Sequence, residues 1–159
     1  LSSCGLLNVN KPKGMTSRRV VDLVARTRRK IKVGHAGTLD PLASGVLVLC
    51  VGSATRLIQY VQRMPKLYSA TFLLGRQSPT EDIEGEIVEL KHAPVPRREE
   101  IDRAAQEQTG TILQRPPAYS ALKVGGRRSY TLARKGQAVE LKPRPVTVHQ
   151  LQVVGYEYP

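Results

Sequence analysis

The stretch GHAGTLDPLASGVLVLCVG, Gly34 to Gly52, runs from a glycine-rich loop into an unbroken apolar segment. The apolar part, Val46 to Val51, is far shorter than the roughly 20 residues a membrane helix needs. Its β-branched content and glycine borders predict a buried strand. In the loop, Gly34, Gly37 and Gly45 permit close approach or unusual φ angles. Pro41 holds the residue before it in extended backbone and stiffens the exit. Asp40 therefore sits on a rigid turn, and two readings are open. Its carboxylate either accepts backbone N–H bonds at the turn or is presented to another molecule.

Working outward, Leu6 to Val9 reads as a short strand that ends in a Pro-Gly turn. Thr16 or Ser17 can cap a helix over Arg18 to Arg29, whose apolar stripe is Val20, Val21, Leu23 and Val24. SATRLIQYVQRM begins with a Ser cap and reads as helix. KLYSATFLLG and GEIVELK read as strands joined by an acidic turn. RREEIDRAAQEQTG is a helix with Glu99 and Glu100 in its early turns and Gly110 as its stop. A short helix is predicted over Ser129 to Lys135, and VTVHQLQVVGYEY returns to strand. Helices do not alternate strictly with strands, so the expected fold is α+β, a mixed, mostly antiparallel sheet flanked by helices. There are no internal repeats, and the length predicts one domain.

The 159 residues carry a formal charge of +12, unevenly spread. Between Lys11 and Lys32 there are nine basic residues against Asp22 alone, and between Arg115 and Arg144 eight against Glu140 alone. Glu81 to Glu107 holds nine of the thirteen acids. Two separated basic segments suggest a footprint for a polyanion, with ordinary solvated faces as the competing reading. Without a strongly apolar helix face, nucleic acid fits better than a membrane surface. Cys4 and Cys50 lack metal-ligand or disulfide-framework spacing, which points to a reducing, cytoplasmic setting. No charged-then-apolar leader opens the chain, so no secretory signal is expected.

His35, His92 and His149 are too scattered for zinc or for a Ser-His-Asp triad. No phosphate-cradling glycine motif occurs. Tyr68, after Lys66, is by default a core residue, but an aromatic ring beside basic residues can also stack on an exposed base. Asp82 in SPTEDIEG reads as a solvated turn residue.

Several blocks in order, LLNVNKPKGMTS, VGHAGTLDPLASGVLVLCVGSATRL, KLYSATFLLG, TEDIEG and QRPPAYSALKVGGRRSYTLARKGQ, resemble the tRNA pseudouridine synthase B family. The resemblance covers nearly all of the chain, and GHAGTLDPLASGVL is its most specific block. It implies isomerisation of uridine 55 in the tRNA T-loop, with Asp40 as the catalytic aspartate. Tyr68 matches a tyrosine that stacks on the target base, and His35 a histidine that holds the flipped nucleotide. Asp82 falls in the substrate-site turn block, and Lys11 in a block that is structural or RNA-contacting. Residues 116–144 match an RNA-clasping insertion. The partner implied is the T-arm of tRNA, engaged by a monomer. No redox step occurs, so the resemblance implies neither cofactor nor metal.

Two departures qualify this. Family members carry, further downstream, a G-T-Y-I-R block whose arginine pairs with the catalytic aspartate, and none occurs in these 159 residues. The chain is thus expected to be an incomplete catalytic domain, weakly active or inactive alone. Ser78-Pro79 also stands where the family has a threonine and an acid. Two further readings remain: the related synthase of archaeal and eukaryotic guide-RNA particles, which shares the LDP block, and a non-catalytic RNA-binding remnant.

Overall fold

A computed structural model describes residues 4–27, 31–117, 123–124, 127–129 and 141–158. The chain divides into two compact units, Leu1–Ser69 and Ala70–Pro159.

In the first unit, β1 (Gly5–Lys11), β2 (Val33–His35) and β3 (Gly45–Val51) form an antiparallel sheet in the order β1-β3-β2. The register pairs Val9 with Leu47 and His35 with Leu49, so the GVLVLCV run is the central strand. Alternate side chains of a strand point to opposite faces, so those of β3 go to different layers. Leu47 and Leu49 pack with Val20 and Val21 of α1 (Ser17–Thr27), joined by Val9, Met15, Val24, Val33 and Leu39. On the opposite face Val48 and Cys50 pack with Ala36, Ala54, Ile58 and Val61. Burying each large aliphatic side chain contributes about 1.5–3 kcal/mol, so these two clusters fix the layering. The α1 range matches the sequence reading closely, although Arg28 and Arg29 lie outside the described residues.

The segment after β3 is a 3-10 helix over Gly52–Leu57 followed by a short α2 (Ile58–Gln62). No side chain caps its start: Ser53 Oγ lies 2.9 Å from Cys4 Sγ instead, and the Thr55 hydroxyl donates back to the Gly52 carbonyl at 2.8 Å. Cys4 is exposed, its pKa lowered mainly by the Ser53 hydroxyl; Cys50 is buried, and desolvation pushes its thiol up.

In the second unit β4 (Arg76–Gln77) pairs with β5 (Val88–Glu89), α3 spans Arg98–Glu107, and β6 (Gly110–Gln114) pairs with β9 (Arg144–Val148). Between them in sequence β7 (Lys123–Val124) pairs antiparallel with β8 (Arg127–Arg128). The Glu100 carboxylate accepts the Arg97 N–H at 2.7 Å and closes the N-terminus of α3. That backbone bond and the Arg97 guanidinium lower the pKa of Glu100.

The α+β class and the antiparallel pairing agree with the sequence reading, but the single sheet does not. Among the described residues the ladders are one of three strands and three of two. KLYSATFLLG is not a strand: residues 65–73 have no regular structure, and Leu67 and Phe72 are 97% and 78% exposed. Alternation alone does not make a strand when no neighbouring strand accepts its backbone bonds. For the same reason only Val88–Glu89 of GEIVELK and Arg144–Val148 near the end pair as strands. α3 ends before Gly110, which turns with φ +95° into β6. The predicted helix Ser129 to Lys135 lies, apart from Ser129, outside the described residues. So does most of the 116–144 insertion.

Candidate active site

The loop from Ala36 to Ser44 leaves the short edge strand β2 and returns into β3. The Ala36 N–H donates to the Val48 carbonyl at 2.8 Å and extends the ladder one step past His35. The backbone then turns at Asp40, whose carbonyl accepts the Ala43 N–H at 3.0 Å. Proline is favoured at the second position of such a turn because its φ is preset there, and Pro41 occupies it. Gly45 closes the loop with φ +124°, a conformation that a side chain would strain.

Asp40 is held from both neighbours. On its N-terminal side the Leu39 side chain packs into the α1 cluster. The Ser17 hydroxyl accepts the Leu39 N–H at 2.9 Å and donates to the Leu39 carbonyl at 3.0 Å. On its C-terminal side the Pro41 carbonyl accepts the Gly14 N–H at 2.8 Å. Gly14 has φ +77°, which suits glycine at this tight turn. Asp40 itself is exposed, and among the described residues no ion pair involves it. The result is a solvent-facing carboxylate on backbone that is fixed on either side.

Lys11 completes the support. Its side chain is fully buried, and Nζ donates to the carbonyls of Met15 at 2.7 Å, Pro12 at 2.9 Å and Pro41 at 3.5 Å. A buried ammonium needs such partners, since an unpaired one would be strongly penalised. Of the two roles the sequence left open for Lys11, the structural one fits this geometry. His35 is partly buried, and its Nδ1 is hydrogen-bonded to the Gly37 carbonyl. A carbonyl can only accept, so Nδ1 carries the proton and the ring orientation is tied to the loop backbone.

Lys11, His35 and Asp40 thus share one three-layered unit. Tyr68, near the end of that unit, is 68% exposed rather than a core residue. Asp82 belongs to the second unit, where its Oδ1 accepts the Thr80 hydroxyl at 2.6 Å and the Glu84 N–H at 2.9 Å. The Thr80 hydroxyl bond is the main reason its pKa is lowered.

Sequence reasoning missed the part played by Ser17, which it offered only as a helix cap. Thr16 is the cap, its Oγ1 accepting the Arg19 N–H at 3.1 Å. The signal was the Thr-Ser pair itself: one hydroxyl caps a helix, and the second is free for another bond. Lys13, Arg18, Arg19 and Arg26 are exposed around α1, with Arg18 paired to Asp22 at 2.9 Å. Among the described residues no group of three or more His, Cys, Asp or Glu side chains is placed to hold a metal ion. No helix among them is long and apolar enough to cross a membrane.

The sequence profile of the TruB family pseudouridylate synthase (N terminal domain) matches residues 24–159. The chain belongs to the TruB family. It is 46% identical over 155 residues to a tRNA pseudouridine synthase B of Clostridium kluyveri, covering 98% of this chain and 53% of that protein. Enzymes of the same name from Thermobifida fusca and Aquifex aeolicus are 47% and 43% identical, over 96% and 95% of this chain and 52% of each of theirs. The chain therefore spans about half the length of these TruB relatives. Among solved structures, a chain of a Cbf5-Nop10-Gar1 complex matches with a TM-score of 0.60 and 27% identity, over 98% of this chain and 37% of that one. The α+β fold read above is thus found within the TruB family and in this neighbour.

Proposed function

We propose that the chain supplies the aspartate-bearing part of a tRNA pseudouridine synthase, isomerising uridine to pseudouridine at position 55 in the T-loop. The observation that carries this reading is Asp40: a solvent-facing carboxylate whose two flanking residues are fixed by Ser17, Gly14 and Lys11. A nucleophile or base works best when its approach is set before the substrate arrives. The name shared by relatives more than 40% identical supports tRNA as substrate. The structural neighbour, at 27% identity, lends less support to a synthase of the guide-RNA type.

In this reaction the N1–C1′ bond breaks and the uracil leaves as a stabilised anion. The Asp40 carboxylate either bonds to C1′ or assists removal of the 2′ proton. The uracil turns and C5 bonds to C1′, which either releases the carboxylate from C1′ or, in the second route, is accompanied by return of the abstracted proton from Asp40 to C2′. C5 then gives up its proton while N1 is protonated, so atoms balance and no redox partner is needed. The uridine must first leave its stack, at a cost of a few kcal/mol. Exposed Tyr68 supplies a ring face for the flipped base and is a candidate for the final proton transfer. His35 holds the flipped nucleotide, and Asp82 contributes from its turn. The basic residues around α1 and in the 116–144 segment track phosphates of the T-arm. The protein works as a cytoplasmic monomer.

The test is release of tritium from a T-arm stem-loop labelled at uridine C5. Release that falls to background in Asp40→Asn supports the proposal. RNA binding without release by the unaltered chain favours a binding role instead. Release that survives Asp40→Asn removes Asp40 from the chemistry.

A further inference from the structure

We infer that Ser17 is a positioning residue for Asp40, acting through the backbone of Leu39. Ser17 is 3% exposed, and its hydroxyl makes two bonds to one residue: it accepts the Leu39 N–H at 2.9 Å and donates to the Leu39 carbonyl at 3.0 Å. One rotor that both gives and takes a proton fixes the two ends of that residue together. The Leu39 carbonyl belongs to the peptide that carries the Asp40 nitrogen, so the hold reaches the Asp40 backbone directly.

The helix does not need this hydroxyl, since Thr16 already caps α1 through the Arg19 N–H. Ser17 instead lies in the first turn of α1, an element anchored by buried Val20 and Val21. The hydroxyl therefore couples the loop to the packed helix across 22 residues of sequence. Lys11 and Gly14 act on the far side of Asp40, at the Pro41 carbonyl. Without Ser17 the Leu39 side chain still packs in the core, but the peptide entering Asp40 is free to rotate. A displaced reacting group loses rate rather than affinity.

The catalytic consequence rests on the reading of Asp40 given above; the hold on Leu39 does not. Two measurements keep them apart. Amide exchange is followed at Leu39 and at Leu47 and Leu49, in the unaltered chain and in Ser17→Ala, Ser17→Cys and Ser17→Thr. Ser17→Cys keeps nearly the volume of the serine with a poor hydrogen-bonding group, which guards against a packing defect. We expect Leu39 to exchange about tenfold faster in the Ala and Cys variants, with Leu47 and Leu49 unchanged and protection restored in Ser17→Thr. In the tritium assay kcat should fall on the order of 10²-fold in the Ala and Cys variants, with KM unchanged. Unaltered Leu39 exchange overturns the inference, as does equal loss of protection at Leu47 and Leu49. A rise in KM with kcat intact overturns the positioning role. If the unaltered chain releases no tritium but Leu39 responds as expected, the proposed reaction fails for these 159 residues alone and the hold stands.

Discussion

The two units of the chain both contain short antiparallel strands and helices yet differ in what they bury. The eight buried hydrophobic side chains of the described residues, from Val20 to Ala54, all belong to Leu1–Ser69. In Ala70–Pro159 the described apolar side chains are largely open to solvent, with Phe72 at 78% and Leu113 at 74% exposed. The first unit stacks helix, sheet and helix around β3. The second relies on two-stranded ladders, on the Arg98 bond to the Val153 carbonyl at 2.8 Å, and on the Tyr156 hydroxyl bond to the Pro96 carbonyl. Hydrophobic patterning thus makes a core only where three elements meet on the same side chains. The unit that has such a core is the one that carries Asp40.

The sharpest way to break this contrast is a matched pair of leucine truncations. Leu49 is fully buried on the central strand, and Leu113 is exposed on β6. Leu49→Ala should cost about 2–5 kcal/mol in urea denaturation. Leu113→Ala should stay within about 0.5 kcal/mol. Comparable losses at both sites would mean that the second unit hides a core of its own.

A matched pair of cations sharpens the same contrast at smaller amplitude. Lys11 and Arg98 each place a cation on backbone carbonyls, the first fully buried and the second exposed with Asp102 at 2.8 Å. Lys11→Met keeps much of the volume but strips the Pro12 and Met15 carbonyls of their donor. It should cost about 1–3 kcal/mol and raise amide exchange at Gly14. Arg98→Met should cost less than about 1 kcal/mol, as exposed ion pairs do. A neutral Lys11→Met would show that the turn under Asp40 holds itself.

What could be read from sequence follows the same division. Val46 to Val51 announced a buried strand because apolar character on both faces is a property of the segment itself. The helix after NKPKGMTS was legible from its cap and its apolar stripe. KLYSATFLLG had the alternation of a strand, but a ladder depends on a partner, and nothing in those ten residues specifies one. The glycine-rich loop was legible as a rigid turn around Asp40, with the role of the carboxylate left open. Its fasteners were less so: Ser17 reads as a cap, and Lys11 as either structural or RNA-contacting, until the fold brings their polar atoms to Leu39 and Pro41. Tyr68 fooled the default expectation in the other direction, because a tyrosine is core only where a layer covers it.

The smallest expected effect lies in the second unit, at a turn held by charge rather than by packing. Asp82 accepts the Thr80 hydroxyl and the Glu84 N–H, and the first of these bonds leads in lowering its pKa. A carboxyl whose pKa is lower folded than unfolded stabilises the fold above the unfolded value, about 3.9 for an aspartate. That contribution is lost as pH falls through the lower folded value. Asp82 is exposed, so the whole effect on stability should stay within about 0.5 kcal/mol. The local readout is exchange at the Glu84 amide, corrected for its intrinsic pH dependence. Its protection should hold across neutral and mildly acidic pH and fade below the ordinary carboxylate range. Asp82→Asn keeps an acceptor oxygen but not the charge, so protection should be weaker and flat with pH. A wild-type profile as flat as that of the variant would show that the carboxylate does not hold this turn, leaving its charge uncommitted for a substrate.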